Sequence, residues 1–322
     1  MKVGFIGLGN VGGKLAGTLI RNNIPTFVHD LKQSAARHLI KQGGVWLDNP
    51  ASIAFNSDII ITCLPSPQAS ASVIEGKKGI LTAASREKIW IEMSTTESSE
   101  VKRLATQFLK EGMFSADCPV SGGCHRAETG NIAIFAGCER SVFERIKPIL
   151  CILGKKVLHT GPLGSASTLK VMTNFLATTH LIACCEAFTA MKAANLDMST
   201  TFEAIKISSG NSFVHETESQ VILNGSRNIN FTLDLVLKDI SLFQEIASKN
   251  NLPLEISPLL NKIVRNAIYE LGPRANSPSI ISILEKHTGL EILASGFPAE
   301  IKDIETESTG YEVVPRPSKE KR

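Results

Sequence analysis

The sequence predicts an α/β protein, a doubly wound and mostly parallel sheet followed by an all-α second domain. Three observations predict it. Short β-rich runs alternate with helical stretches from Met1 to about Gly161. A glycine-rich turn, Gly7-Leu8-Gly9-Asn10-Val11-Gly12, stands where the first strand should end and the first helix begin. Beyond Gly161 the strand signal fades, and Thr168 to Leu196 is one run rich in Ala, Leu and Met with no Pro or Gly.

The elements follow in order. Val3 to Ile6, Thr26 to His29, Asp58 to Thr62 and Lys88 to Glu92 read as buried strands, followed by Ser115 to Cys118, Ile132 to Phe135 and Lys156 to His159. Helical stretches between them cover Gly12 to Asn22, Gln33 to Gln42, Gln68 to Glu75, Glu97 to Glu111 and Glu139 to Leu150. Strands alternating with helices imply right-handed βαβ units. The run from Thr168 spans on the order of 45 Å as a helix, long for one small domain, and is expected to bridge the domains and pack on a second subunit. Further helices are expected at Ser199 to Ser208, Phe213 to Asn224, Leu233 to Asn250, Pro258 to Leu271 and Ser279 to Thr288. The expected domains are therefore 1–161 and 162–296, with 297–322, rich in Pro, Glu, Ser, Thr and Lys, a poorly ordered tail.

Composition excludes several classes. At 322 residues two cores are expected, and 43% hydrophobic with 20% charged residues is ordinary for a globular protein. A net charge of +3 is too small to argue for nucleic acid, and Lys319-Glu320-Lys321-Arg322 reads as a solvated tail. The seven cysteines form no C-x-x-C pair or His/Cys cluster, so free thiols in a reducing compartment, and no metal, are expected. The opening strand leaves no room for a signal peptide, and apolar stretches short of about 18 residues argue against a membrane span. These readings place the chain in the cytoplasm.

The glycine turn follows an apolar strand and opens a helix, the setting that a Rossmann-type dinucleotide fingerprint requires. Gly7 allows the tight turn, Gly9 the approach of backbone to pyrophosphate, and Gly12 close helix–strand packing. A glycine-rich turn without a ligand is the alternative. Asp30, at the end of the second strand, is placed to accept from the ribose hydroxyls and to repel a 2′-phosphate, which favours NAD over NADP. It could also cap the helix starting near Gln33. Two further strand ends, Cys63-Leu64-Pro65 and Ser94-Thr95, should border the cofactor; a strand-stopping proline and a helix cap are their plainer readings.

Asp117-Cys118-Pro119-Val120-Ser121-Gly122-Gly123 ends another strand. The Ser121 hydroxyl and the exposed amides of Gly122 and Gly123 suit a small carboxylate, though a simple Gly-Gly turn fits too. Lys170 lies early in the long apolar helix with Asn174 one turn on, on the same face. Such a lysine either snorkels to water or faces inward, where it could exchange a proton with a substrate oxygen. Lys238 stands on the otherwise apolar helix from Leu233, paired with Asp239 on the surface or turned to the site, with Phe231 as a possible wall.

These motifs, in this order and spacing over residues 1 to 293, resemble the β-hydroxyacid dehydrogenase family, which includes 3-hydroxyisobutyrate dehydrogenase and tartronate semialdehyde reductase. The resemblance implies an NAD(P)-dependent reaction at a carbon β to a carboxylate or similar anion. It assigns acid/base catalysis to Lys170, substrate anchoring to Ser121, Gly122, Gly123 and Asn174, and cofactor contact to Leu64, Pro65, Thr95 and Lys238, beside Gly7 to Gly12 and Asp30. It also implies an interdomain cleft and a homodimer or homotetramer. Val11 departs from the family's usual methionine, Ala166 from a glycine, and Glu92 from an aspartate. His125 and Arg126 stand where members vary; they face solvent or meet a second anionic group of the substrate. A catalytically silent dinucleotide-binding regulator of the same fold is the alternative, against which the retained Lys170, Asn174 and Ser121 count. Imine-reducing relatives are expected to lack this lysine.

Overall fold

The structure is a computed structural model that describes residues 1–316. Its contacts gather into two compact units, Met1–Lys170 together with the C-terminal stretch from Asp303, and Val171–Lys302.

The first unit runs β1 (Val3–Ile6), α1 (Gly12–Arg21), β2 (Thr26–His29), α2 (Arg37–Lys41), β3 (Val45–Trp46), α3 (Pro50–Asn56), β4 (Ile59–Thr62), α4 (Pro67–Glu75), β5 (Ile89–Glu92), α5 (Ser98–Lys110) and β6 (Phe114–Asp117). It continues through β7 (Val120–Ser121), α6 (Cys124–Thr129), β8 (Ile132–Gly137), α7 (Arg140–Leu153) and β9 (Gly154–Gly161) to the start of α8 (Ser165–Ala193). The helical unit follows with α9 (Met198–Lys206), α10 (Phe213–Asn224), α11 (Leu233–Lys249), α12 (Ile256–Leu271) and α13 (Ile281–Thr288), after which β10 (Tyr311–Glu312) rejoins the first unit.

The sheet order is β10-β9-β8-β6-β5-β4-β1-β2-β3, with β7 also on β8. Pairing is parallel except where β8 meets β6 and β7. Side-chain alternation fills both faces. Val3, Phe5, Ile59, Ile61, Ile89 and Ile91 point to the face covered by α1, α2, α6 and α7. Ile6, Ile60 and Trp90 point to the face covered by α3, α4 and α5. β1, β4 and β5 are buried at every position, as a parallel sheet covered on both faces demands. Trp90 is fully buried, its Nε1 donating to Thr62 Oγ1 at 2.9 Å.

Several short elements were not expected. The β3 and β7 strands have two residues each, too few to show a period. Helix α3 has a start signal in Asn49-Pro50, where the Asn49 side chain accepts from Ser52 N at 2.9 Å. The stretch Gln33 to Gln42 divides into a 3-10 turn (Gln33–Ala36) and α2. By length and composition α8 could cross a membrane, although the sequence led us to expect no such stretch. It nevertheless places Leu181, Cys184, Cys185 and Phe188 in the core of the helical unit.

The C-terminal stretch corrects a further expectation. Phe297 packs edge-on against Phe202, and Asn224 donates to its carbonyl at 2.8 Å. From Asp303 the chain lies along the first unit. Asn131 Nδ2 donates to Asp303 at 2.7 Å and to Glu305 O at 2.8 Å, and Gly310 N donates to Cys151 O at 2.7 Å. β10 then adds a parallel strand to β9. Composition suggested disorder because this stretch has few apolar residues; it is held instead by edge pairing and by carboxylates facing cations. Lys319 to Arg322 lie outside the described residues.

Glu312 anchors that stretch, 2.5 Å from Arg140 and 2.7 Å from Lys147. Hydrogen bonds from Arg140 and then Lys147 hold its carboxyl down to about 2 from the ordinary 4.5. A depressed folded-state pKa stabilises fully above the unfolded value and loses that effect as pH falls toward the folded one. Glu312→Gln is therefore expected to lower Tm by about 2–4 °C at pH 7, with the gap closing between pH 4.5 and about 2 in thermal melts.

Candidate functional site

In the first unit the predicted residues gather at the carboxyl ends of strands. The chain order reverses between β1 and β4, the switch point where open α/β sheets leave a crevice. Gly7 takes φ +95°, its N–H donating to His29 O at 3.0 Å. A Cβ on Gly7 would lie 2.3 Å from Cys63 O, and one on Gly12 would lie 2.0 Å from Gly7 O. One on Gly9 would meet nothing within 4 Å. Gly7 and Gly12 are thus required by the protein's own backbone, while Gly9 faces open space. No side chain caps α1 at Val11, so the positive end of that helix is left for an outside anion. Leu8 is buried and Asn10 exposed. This loop fits a pyrophosphate.

Asp30 is half-buried and tied to the glycine loop. Its Oδ2 accepts from Leu8 N at 2.8 Å and its Oδ1 from Lys32 N at 2.9 Å. Each oxygen keeps a lone pair for a further donor. The residue at the cap position of the following 3-10 turn is Lys32, so Asp30 stands two residues before a helix cap.

The loops after β4 and β5 are joined through a buried carboxylate. Leu64 N donates to Ser94 Oγ at 2.7 Å, Ser94 Oγ to Glu92 Oε1 at 2.5 Å, and Ser70 Oγ to Glu92 Oε2 at 2.8 Å. Burial raises the Glu92 pKa, against the pull of Ser94 and Ser70. Burial, then the nearby Glu92, pushes the Cys63 thiol up to about 12, so it is no thiolate at neutral pH. Pro65 is exposed and Thr95 half-buried beside these links. The cap of α5 is Glu97, which removes the helix-cap reading of Ser94-Thr95.

Ser121 ends β7, paired with Ala133 of β8. Gly122 and Gly123 follow at φ +130° and +87°, a conformation suited to glycine. The next residues form α6 and not a solvent-facing loop: Arg126 lies against Gly122 and the His125 ring against Gly123. Burial and then Arg126 lower the His125 pKa. Asp117 is fully buried, its two oxygens accepting from Gly164 N at 2.7 Å and Ser167 N at 2.6 Å at the start of α8. Lys170 follows one turn later, only 7% exposed.

In the helical unit, Asn174 Nδ2 donates to Asp239 Oδ2 at 2.5 Å, and Lys238 Nζ lies 2.8 Å from Asp239 Oδ1. Asp239 is buried, so the pair is not a surface bridge. Phe231 packs half-buried on the core of this unit. Lys170 and Asn174 share a face of α8 through their spacing. Among the described residues, no group of three His, Cys, Asp or Glu side chains could hold a metal. The ties made by Glu92 and Asp117 were the features missed; each acid visibly ends a strand, but the partners it binds lie far along the chain or in a neighbouring loop.

Residues 2–161 match the family described as the NAD binding domain of 6-phosphogluconate dehydrogenase, and residues 164–284 the NAD-binding family of NADP-dependent 3-hydroxyisobutyrate dehydrogenase. A 2-(hydroxymethyl)glutarate dehydrogenase of Eubacterium barkeri is 30% identical over 91% of this chain and 97% of its own. The mitochondrial 3-hydroxyisobutyrate dehydrogenase of Rattus norvegicus is 31% identical, covering 82% and 81%. A 3-hydroxyisobutyrate dehydrogenase of Mycobacterium tuberculosis, solved with L-serine, shares the fold with a TM-score of 0.79 at 22% identity, covering 88% and 98%.

The glycines separate by cause. Gly12→Ala is expected to cost about 1–3 kcal/mol by forcing α1 away from the β1 turn, whereas Gly9→Ala leaves Tm within about 1 °C, both read by thermal unfolding.

Proposed function

The chain belongs to the β-hydroxyacid dehydrogenase family, and from that premise we propose that it is an NAD(H)-dependent oxidoreductase interconverting a small 3-hydroxy acid, or related hydroxy anion, and its semialdehyde or keto form. The observation that carries this reading is the presence in one unit of the open glycine loop, the Ser121-Gly122-Gly123 turn and a buried Lys170.

The dinucleotide, when bound, supplies the hydride donor or acceptor at its nicotinamide. Residues Gly7 to Gly12 and the start of α1 hold its pyrophosphate, Asp30 the ribose, and Leu64, Pro65, Thr95 and Lys238 its remaining length. The Ser121 hydroxyl and the amides of Gly122 and Gly123 hold the substrate anion, with Asn174 as a further anchor. Lys170 takes the hydroxyl proton in oxidation and returns it in reduction; its burial excludes competing water. All seven thiols are free, which fits the cytoplasm. The partners in this reading are a small anionic substrate and further copies of the chain in a homodimer or homotetramer, without nucleic acid or membrane.

NAD is preferred to NADP because a carboxylate that already meets the glycine loop would stand against a 2′-phosphate. Asp30→Ser should reduce the NADH-over-NADPH preference in kcat/KM on the order of tenfold. A panel pairing both cofactors with 3-hydroxy acids and semialdehydes tests the activity itself. In it, Lys170→Ala is expected to lower kcat by about 10²–10⁴-fold with NADH binding nearly unchanged. Gly9→Ala, neutral to the fold, should weaken NADH. Full turnover in Lys170→Ala would leave the silent dinucleotide-binding reading.

A further inference from the structure

We propose that Asp117 is the positioning residue of the acid/base lysine: its carboxylate fixes the start of α8, and so the height and rotation at which Lys170 leaves that helix. The inference rests on the role given to Lys170 above.

Asp117 ends β6 and is fully buried. Gly164 and Ser167, its two donors, are three residues apart at the start of α8, where amides have no acceptor within the helix. Two bonds from one carboxylate to two points on the first turn oppose both sliding and rotation. A slip of one residue would swing Lys170 by about 100° around the axis and move it about 1.5 Å along it. The pocket tolerates little displacement, since a Cβ on Gly137 would lie 2.4 Å from Asp117 Oδ1.

On its other side Asp117 stands four residues before Ser121, across Cys118, Pro119 and Val120. The anion-holding turn and the lysine therefore hang from one anchor, within one unit. A carboxylate serves where an amide would not. Both oxygens must accept, and an asparagine would turn a donor toward one of the two N–H groups. Serine or threonine would reach only one. Burial favours the protonated form of Asp117, and the Gly164 and Ser167 amides oppose it.

The test compares Asp117→Asn, Lys170→Ala and the double variant in the full chain, with 3-hydroxyisobutyrate and NAD or the fastest pair of the panel. Asp117→Asn is expected to lower kcat by about 10–100-fold with the NADH Kd within about twofold, and to cost nothing further once Lys170 is alanine. Ser167→Pro, which removes one donor at a first-turn position where proline is tolerated, should reproduce a smaller loss if Asp117→Asn folds poorly. Amine labelling with NADH bound, read by mass spectrometry, should change in rate at Lys170 and not at Lys238. Additive losses in the double variant, parallel losses of NADH affinity, or unchanged labelling at Lys170 overturn the inference. Full turnover in Lys170→Ala, or no turnover by the native chain, overturns instead the assignment on which it rests.

Discussion

A parallel sheet covered on both faces has no wet side, so anything that must meet a ligand is displaced to the ends of its strands. β1, β4 and β5 are buried at every position, and their carboxyl ends carry the glycine loop, the Leu64-Pro65 loop and the Ser94-Thr95 loop. The same constraint sets the glycines. Helix α1 returns across β1 so closely that Gly12 would collide with Gly7 if it carried a Cβ. The first helix can therefore cover the sheet and still aim its uncapped end at the switch point.

Burial also explains how the loops are held. A carboxylate removed from water is costly unless its oxygens find donors. Glu92 finds Ser94 and Ser70, Asp117 the start of α8, and Asp239 Asn174 and Lys238. Asp239 bonds two predicted site residues directly, whereas Glu92 and Asp117 fix the backbone and hydroxyls next to others. The acids thus trade solvation for rigidity.

How much of this could be seen in the sequence depended on length and on locality. Long apolar runs exposed β1, β4 and β5, and the glycine spacing exposed the turn at Gly7 to Gly12, because each signal is complete within a few residues. β3 and β7 were invisible at two residues each. The C-terminal stretch misled composition because its order comes from partners far away in the chain: Glu312 is held by Arg140 and Lys147, and Gly310 comes close enough to β9 that a Cβ would lie 1.9 Å from Gly154 O. Lys170 and Asn174 were legible as a helical pair from their spacing. The ties to Asp117 and Asp239 were not, since a hydrogen bond across 50 or 65 residues leaves no local pattern.

Those distant ties bear on the long helix, which carries two of the predicted site residues, Lys170 and Asn174. A lysine on a flexible loop would sample many positions, and its side chain alone holds rotamer entropy of about 2 kcal/mol. On α8 the backbone part of that freedom is already spent, and Asp117 fixes the first turn from which Lys170 departs. Asn174, one turn further, inherits its spacing from Lys170 through helix geometry. Its amide is in turn held by Asp239, an acid lying outside the helix. The apolar character of α8 has a local use: it buries Lys170 and packs Leu181 and Phe188. Hydrophobic burial holds the helix in place, while Asp117 ties its first turn and Asp239 the Asn174 amide.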